Sequence, residues 1–214
     1  MTNQYRSVFD IIGPIMIGPS SSHTAGAVAI GHVANRLFHA PIKKVIVRYY
    51  ESFAQTHQGH GTDYAIISGV LGFDPADQRV PMAVDLARRQ GIEVEFIEDP
   101  GDSPVNHPNT AELTLINSQK SLTIWGCSIG GGTIEIRKVD LNGIIFQPDG
   151  PLPIIFVESD QEIGTALDHI FKDNYRGARI SVRVPGRFLY KLELLDKPYP
   201  CLLYTSDAAD DMQC

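Results

Sequence analysis

The sequence is organised around residues 18–27, which read Gly18-Pro19-Ser20-Ser21-Ser22-His23-Thr24-Ala25-Gly26-Ala27. Four hydroxyls and one imidazole lie here between a Gly-Pro turn and the start of an apolar pattern with helical spacing. We expect Ser22 to cap the helix with its side-chain oxygen. The first N–H groups of a helix have no partner within it and lie at the positive end of its dipole. The stretch therefore predicts a site for a carboxylate or a phosphate, and the alternative is an ordinary N-cap after a polar loop.

The residues around this stretch predict alternating helices and strands. The helix that begins at residue 23 is expected to run to residue 38, and its buried face carries mostly small side chains, so another element can approach it closely. Further helices are predicted at residues 62–71 and 81–89. Strands are predicted at residues 43–50, 92–96, 110–117, 121–129, 133–139 and 143–147.

A second polar motif, Gly59-His60-Gly61-Thr62-Asp63, ends a segment that we expect to be flexible at its glycines. Thr62 is predicted to cap the next helix, so His60 lies just before a helix N-terminus. The positive end of the helix dipole disfavours imidazolium, and we therefore expect His60 to be neutral near pH 7. A neutral imidazole between glycines suits a general base, and the alternative is a hydrogen-bonded turn residue.

Three other segments have plainer interpretations. The acidic residues within 93–102 are interpreted as a solvated strand face and loop, because no histidine joins them. His107-Pro108-Asn109 carries groups that suit an amino acid, although the residues alone favour a rigid turn. Residues 130–132 are all glycine and predict a bulge or turn rather than a phosphate loop, while Asn142-Gly143 predicts a type I′ hairpin.

Composition narrows the class of protein. The 214 residues carry a formal net charge of −7 and no cluster of basic residues, which argues against a nucleic-acid groove. No apolar run reaches the length of a membrane span, and the first residues lack the plan of a signal peptide, so we expect a cytoplasmic protein. Cys127, Cys201 and Cys214 are odd in number and ungrouped, which argues against a disulfide framework and against a metal cluster held by this chain.

Several of these motifs together resemble one family. Their types and order resemble those of the beta chain of iron–sulfur-dependent L-serine dehydratase. The segments that match are residues 9–14, residues 17–24, the Gly59-His60-Gly61-Thr62-Asp63 motif, residues 107–110 and the three glycines at 130–132. The resemblance implies conversion of L-serine to pyruvate and ammonia without pyridoxal phosphate. It also implies a hetero-oligomer with an alpha chain, whose [4Fe-4S] cluster binds the substrate and acts as Lewis acid through an open iron.

The resemblance further implies roles for individual residues. The substrate carboxylate would be bound by hydroxyls and helix-end amides at Ser20, Ser21, Ser22 and Thr24. His60 would take the α-proton, and His23 would orient it or share that role. His107 and Asn109 would form an allosteric serine site, and no residue of this chain is expected to bind metal.

The expected fold is α/β (α+β), with two domains and a tail. Residues 1–148 are similar to an allosteric substrate-binding (ASB) domain, which some D-3-phosphoglycerate dehydrogenases also carry. The turn-forming residues 148–151 mark a boundary, and residues 151–200 resemble an incomplete ferredoxin-like (ACT-type) β-α-β-β unit. Residues 201–214 resemble translated sequencing-adapter sequence, and we interpret them as a non-native or disordered tail.

Two other function classes remain open from the sequence. One is a purely regulatory subunit that binds serine through His107 and Asn109 and does no chemistry. The other is a protein that binds phosphate or a sugar phosphate at the serine-rich helix start.

Overall fold

The computed structural model describes residues 15–148, 154–171, 175–184 and 187–194. The chain divides into two compact units, Met1–Pro148 and Asp149–Cys214. Residues 9–14 of the family motif and the predicted tail at 201–214 lie outside the described residues. Within the described ranges, no helix combines the length and the apolar character needed to cross a bilayer.

The first unit contains four α-helices and six strands among its described residues. A π-helical turn, Ser21–Ala25, leads directly into the first α-helix. The helices are α1 (Gly26–Phe38), α2 (Glu51–Thr56), α3 (Thr62–Val70) and α4 (Ala83–Arg89), and a 3-10 turn, Val80–Met82, precedes α4. The strands are β1 (Lys44–Tyr50), β2 (Glu93–Asp99), β3 (Thr110–Ile116), β4 (Ser121–Gly130), β5 (Thr133–Leu141) and β6 (Ile144–Phe146).

The six strands form one mixed sheet in the order β2-β1-β3-β4-β5-β6. Strands β1 and β2 run parallel, and the other neighbours run antiparallel. Alternate residues of β1, such as Val45, Val47 and Tyr49, are fully buried, which is the period of a strand with one face in the core. The mixed α/β fold class is confirmed.

Helices α1 and α3 pack unusually close to each other. A Cβ at Gly31 would lie 2.8 Å from the backbone nitrogen of Val70, and one at Gly69 would lie 2.9 Å from the backbone nitrogen of His32. Both distances are shorter than real Cβ contacts, so backbone lies against backbone at this crossing. The expected close approach to the small-residue face of α1 is thereby confirmed.

Replacing Gly69 with alanine is expected to lower the free energy of unfolding by about 2 kcal/mol, because overpacking outweighs the gain in helix propensity. Urea denaturation measures the change. Gly59→Ala is the matched control, since the nearest atom to its Cβ would be the Thr56 carbonyl oxygen at 3.8 Å. Equal stability of the two variants would contradict the tight helix crossing.

Local predictions in the first unit were borne out unevenly. Strand β4 ends at Gly130 after an irregularity in its register, and Gly131 and Gly132 form the turn to β5, as predicted for the three glycines. Asn142 and Gly143 form the two-residue β5–β6 turn with φ of 54° and 85°, also as predicted. Helix α2 lies in the segment before Gly59, where no helix was predicted. Helix α3 begins after Gly61, which has a φ of 67°. The Thr62 hydroxyl is buried, has no hydrogen-bond partner among the described residues and does not cap the helix, so that prediction was wrong.

The second unit contains β7 (Ile154–Ser159), α5 (Gly164–Phe171), β8 (Tyr175–Val184) and β9 (Arg187–Leu194) among its described residues. The three strands form a sheet in the order β7-β9-β8, and both pairings are antiparallel. Tyr190 is fully buried beside Leu167 of α5, and its hydroxyl accepts the N–H of Ile163 at 2.9 Å. The predicted β-α-β-β order of elements is present.

Candidate active site

The serine-rich stretch forms the π-helical turn at the start of α1. Ser20 is the N-cap: its hydroxyl accepts the backbone N–H of His23 at 3.2 Å and lies 3.3 Å from His23 Nδ1. The cap is therefore Ser20, and the prediction that Ser22 caps the helix was wrong. The wider π turn moves the cap back by two residues, and such turns are frequent at functional sites.

Ser21 and Ser22 form the open first turn of this helix. Neither hydroxyl has a hydrogen-bond partner within the described part of the chain, and both side chains are half-exposed. Their backbone N–H groups belong to the first turn of a helix, where carbonyl partners within the helix are absent. Two hydroxyls and the positive end of the helix dipole are thus available to an anion.

The turn that carries His60 packs directly against this helix start. The buried hydroxyl of Thr24 donates a hydrogen bond to the His60 carbonyl oxygen at 3.2 Å. Thr24 therefore holds the His60 turn in place, and its hydroxyl is occupied by that bond rather than open like those of Ser21 and Ser22. Residues 20–24 and His60, which are far apart in sequence, form one site.

The rings of His23 and His60 meet edge to face, with centroids 4.7 Å apart. His23 Nε2 and His60 Nδ1 are both buried and have no hydrogen-bond partner among the described residues. Burial, and secondly the proximity of His60, lower the pKa of His23. A neutral imidazole with a nitrogen free to bond is suited to accept or relay a proton.

The lowered pKa of His23 gives a stability prediction with a defined sign. At pH values between the lowered pKa of His23 in the folded protein and its ordinary value of 6.5, the unfolded chain binds more protons than the folded one. The contribution of His23 to stability is therefore present above pH 6.5 and is lost as pH falls through its pKa in the folded protein. Urea unfolding between pH 8 and pH 5 is expected to show this loss. The His23→Asn variant should lose less stability over the interval, and equal losses would contradict the assignment.

His107 and Asn109 lie at a second edge of the same site. The backbone N–H of Asn109 donates to His107 Nδ1 at 3.1 Å, and burial followed by the nearby Arg137 guanidinium lowers the pKa of His107. Phe53 connects the two edges. The centroid of its ring lies 5.0 Å from that of His23, and its backbone N–H donates to the Pro108 carbonyl at 3.3 Å.

Ser128 is a site residue that sequence reasoning missed. Its backbone N–H donates to the Asn109 carbonyl at 3.0 Å, and its hydroxyl lies so close to Gly26 that a Cβ there would clash with it. The Ser128 Oγ and the Asn109 Oδ1 are both buried without a hydrogen-bond partner in the described residues. Ser128 directly precedes Ile129 and the three glycines. It was not singled out because residues 121–129 were predicted only as a strand.

His57 is the second residue that the sequence did not single out. It lies three residues before His60, is 3% exposed, and bonds Asp63 and Glu98 through its two ring nitrogens. The other strand acids face solvent with basic partners: Lys44 pairs with Glu93 at 2.7 Å and Arg48 with Asp99 at 3.0 Å. The interpretation of a solvated acidic face therefore holds, and the Glu98 side chain is itself 57% exposed. The premise that no histidine joins these acids was wrong, because His57 bonds Glu98.

The described residues do not fit a metal cluster. They contain no group of three or more histidine, cysteine or acidic side chains arranged to bind a metal ion. Cys127 is fully buried, its thiol lies 3.4 Å from the Thr110 hydroxyl, and burial raises its pKa, whereas a cluster ligand is a thiolate.

Comparison with known proteins gives a consistent result. A family model described as serine dehydratase beta chain matches residues 7–138. The probable L-serine dehydratase, beta chain of Bacillus subtilis (strain 168) is 52% identical over 163 residues, covering 76% of this chain and 72% of that protein. The L-serine dehydratase, beta chain of Peptoniphilus asaccharolyticus is 39% identical over 161 residues, covering 74% and 70%. L-serine dehydratase TdcG of Escherichia coli (strain K12) is 39% identical over 153 residues, which are 33% of that protein. The chain belongs to the serine dehydratase beta chain family.

Proposed function

We propose that this chain is the beta subunit of an L-serine ammonia-lyase, which converts L-serine to pyruvate and ammonia. The observation that carries the proposal is the pairing of an open helix start at Ser21 and Ser22 with two contacting imidazoles, His23 and His60. An amino acid needs both: groups that bind a carboxylate and a base that removes the neighbouring α-proton.

In the proposed reaction, the substrate carboxylate is bound at the start of the π-helical turn. The hydroxyls and N–H groups of Ser21 and Ser22 donate to it, while Ser20 acts as the cap that sets the turn. Thr24 contributes through its bond to the His60 carbonyl. The roles of Ser20 and Thr24 in this proposal are therefore positional rather than direct.

The proposed base is His60, which accepts the α-proton of the bound serine. Its Nδ1 is buried and unpartnered among the described residues, and the neutral His23 ring lies against it. His23 orients the His60 ring or shares the proton with it. Because both rings lie beside the helix start, a carboxylate bound there would bring the α-carbon close to them.

We further propose that the enzyme is a hetero-oligomer and that its [4Fe-4S] cluster is held by an alpha chain. The buried, neutral thiol of Cys127 supports a location outside this chain. The β7-α5-β8-β9 order supports the proposal that the second unit is an incomplete ACT-type unit.

The test of the proposed function is pyruvate formation from L-serine under anaerobic conditions. This chain is co-purified with a co-expressed serine dehydratase alpha chain, and each protein is also assayed alone. Activity that needs both proteins is the expected result. A complex that assembles with its cluster but forms no pyruvate from serine would contradict the proposal.

A purely regulatory serine-binding subunit is a second candidate. Asn109 Oδ1 and Ser128 Oγ, both buried and without partners among the described residues, favour it, because they suit the amine of an amino acid. Two measurements separate the two functions: calorimetry of serine binding to the Asn109→Ala chain, and the activity of the complex that carries His60→Asn. If Asn109→Ala abolishes serine binding while the His60→Asn complex retains full catalysis, the regulatory subunit is favoured.

A further inference from the structure

His57 occupies an environment that a neutral histidine does not satisfy. Its Nδ1 lies 2.7 Å from the Asp63 carboxylate and its Nε2 lies 2.8 Å from the Glu98 carboxylate. A neutral imidazole has one N–H and one acceptor nitrogen, and an ionised carboxylate only accepts. Where both carboxylates are ionised, two short bonds to them place a proton on each ring nitrogen, so the geometry fits an imidazolium.

The surroundings of the ring fit a buried cation. Burying a charge is costly unless it is paired and hydrogen-bonded, and here both nitrogens are paired with opposite charge. The Tyr49 ring from β1 stacks on the imidazole with centroids 4.6 Å apart and an angle of 27° between the rings. Burial raises the pKa of Tyr49, so it adds no charge. Among the described residues, the titratable groups that contact the His57 ring are Asp63 on α3, Glu98 on β2 and neutral Tyr49 on β1.

The backbone of His57 builds the turn on which His60 lies. The His57 carbonyl accepts the N–H of Thr62 at 2.9 Å, and the N–H of His60 bonds the Thr56 carbonyl at 3.0 Å. The turn is therefore closed by residues on both sides of His60. Its sequence between His57 and Thr62 contains two glycines, which by themselves give it little stiffness.

The side chain of His57 fastens this turn to the rest of the domain. Asp63 ties it to the first turn of α3, and Glu98 ties it to β2, which is 41 residues away in sequence. We propose that His57 is a positioning residue for His60, held as an imidazolium between Asp63 and Glu98 so that the turn presents the base to the substrate. The proposal rests on the proposed function in its reference to a base.

The kinetic test uses the assembled two-chain complex and three variants. His57→Phe retains an aromatic ring on Tyr49 but removes both hydrogen bonds and the charge. Glu98→Gln retains a hydrogen-bond acceptor and removes one charge, and the 57% exposure of the Glu98 side chain makes it tolerant of substitution. Glu95→Gln is the matched control, because it makes the same change on the same strand at a surface pair with Lys44.

We expect His57→Phe to lower kcat for L-serine by about 100-fold, since a displacement near 1 Å has effects of that order. Glu98→Gln should lower kcat by about 10-fold and Glu95→Gln should not change it. KM is expected to stay within about twofold of wild type, because the carboxylate site is separate from His57. A merely structural role would lower stability and leave kcat per intact complex unchanged, and that result in both variants would overturn the proposal. If His57→Phe does not fold, the kcat of the Glu98→Gln complex alone tests the proposal.

Nitrogen-15 NMR of the histidine-labelled chain tests the protonation state separately. Both ring nitrogens of His57 are expected to carry protons at pH 7, with His57→Phe used to assign the signals and Glu98→Gln as the assignment variant if His57→Phe does not fold. One unprotonated nitrogen would overturn the imidazolium. This measurement requires no catalysis, so an inactive wild-type complex would contradict the proposed function while leaving the His57 result readable.

Discussion

Replacing His60 with asparagine is expected to lower kcat for pyruvate formation by about 10²- to 10⁴-fold, the usual contribution of a positioned general base. Asparagine retains polarity at the position but does not accept a proton at neutral pH. The backbone bonds of His60, from its N–H to the Thr56 carbonyl and from the Thr24 hydroxyl to its own carbonyl, remain available. KM for L-serine should change little, because the carboxylate is bound by other residues.

The pH–rate profile adds an independent signature. A base must be deprotonated to act, so wild-type kcat/KM should fall on the acid side, and the residual activity of His60→Asn should lack the limb that His60 contributes. His39→Asn is the matched control: it makes the same change at an exposed residue after the other end of α1, in a left-handed conformation that asparagine tolerates. A His60→Asn variant with full rate and an unchanged acid limb would contradict the assignment of His60 as the base.

The sequence predicted the parts of this molecule whose causes are local. Alternation of apolar residues in β1 and the Asn142-Gly143 turn depend on neighbours in the chain, and both were predicted correctly. Helix α2 was missed because its residues include no clear apolar face, and its first residue, Glu51, has a φ of 44° that no local pattern favours. Glu51 is instead held by accepting the N–H of Ser103, 52 residues further on.

The candidate site shows the same division. The residues of the serine-rich stretch and His60 were recognisable from their types and spacing. Their contact was not, because the bond from the Thr24 hydroxyl to the His60 carbonyl joins residues 36 positions apart. The shift of the N-cap from Ser22 to Ser20 likewise follows from the π-helical turn, which packs against β4 and the His60 turn. The proposed role of His57 depends on its bond to Glu98, 41 residues further on. The strand near Glu98 was predicted from the sequence, but its contact with His57 was not.

Replacing Ser21 and Ser22 together with alanine is expected to raise KM for L-serine by about 100-fold or more. A hydrogen bond to a charged group contributes about 1.5–3 kcal/mol, so each lost hydroxyl corresponds to about a 10- to 100-fold weaker carboxylate contact. The fold should be retained, because neither hydroxyl has a hydrogen-bond partner within the described residues and the cap is Ser20. If the carboxylate is bound equally in the ground and transition states, kcat stays within about threefold of wild type. Steady-state kinetics of the assembled complex measure both constants.

The control and the competing ligand distinguish a carboxylate site from a phosphate site. Ser118→Ala combined with Ser121→Ala makes the same double change at exposed positions around the β3–β4 turn and should leave KM unaltered. Inorganic phosphate is the probe for the other anion, since a helix start accepts either one. Phosphate that outcompetes L-serine on the wild type, with its inhibition lost in the double variant, would assign the helix start to phosphate. An unchanged KM in the double variant would remove Ser21 and Ser22 from the substrate site. Ser128 would then be the next serine to replace, because its hydroxyl is buried beside Gly26 and has no hydrogen-bond partner in the described structure.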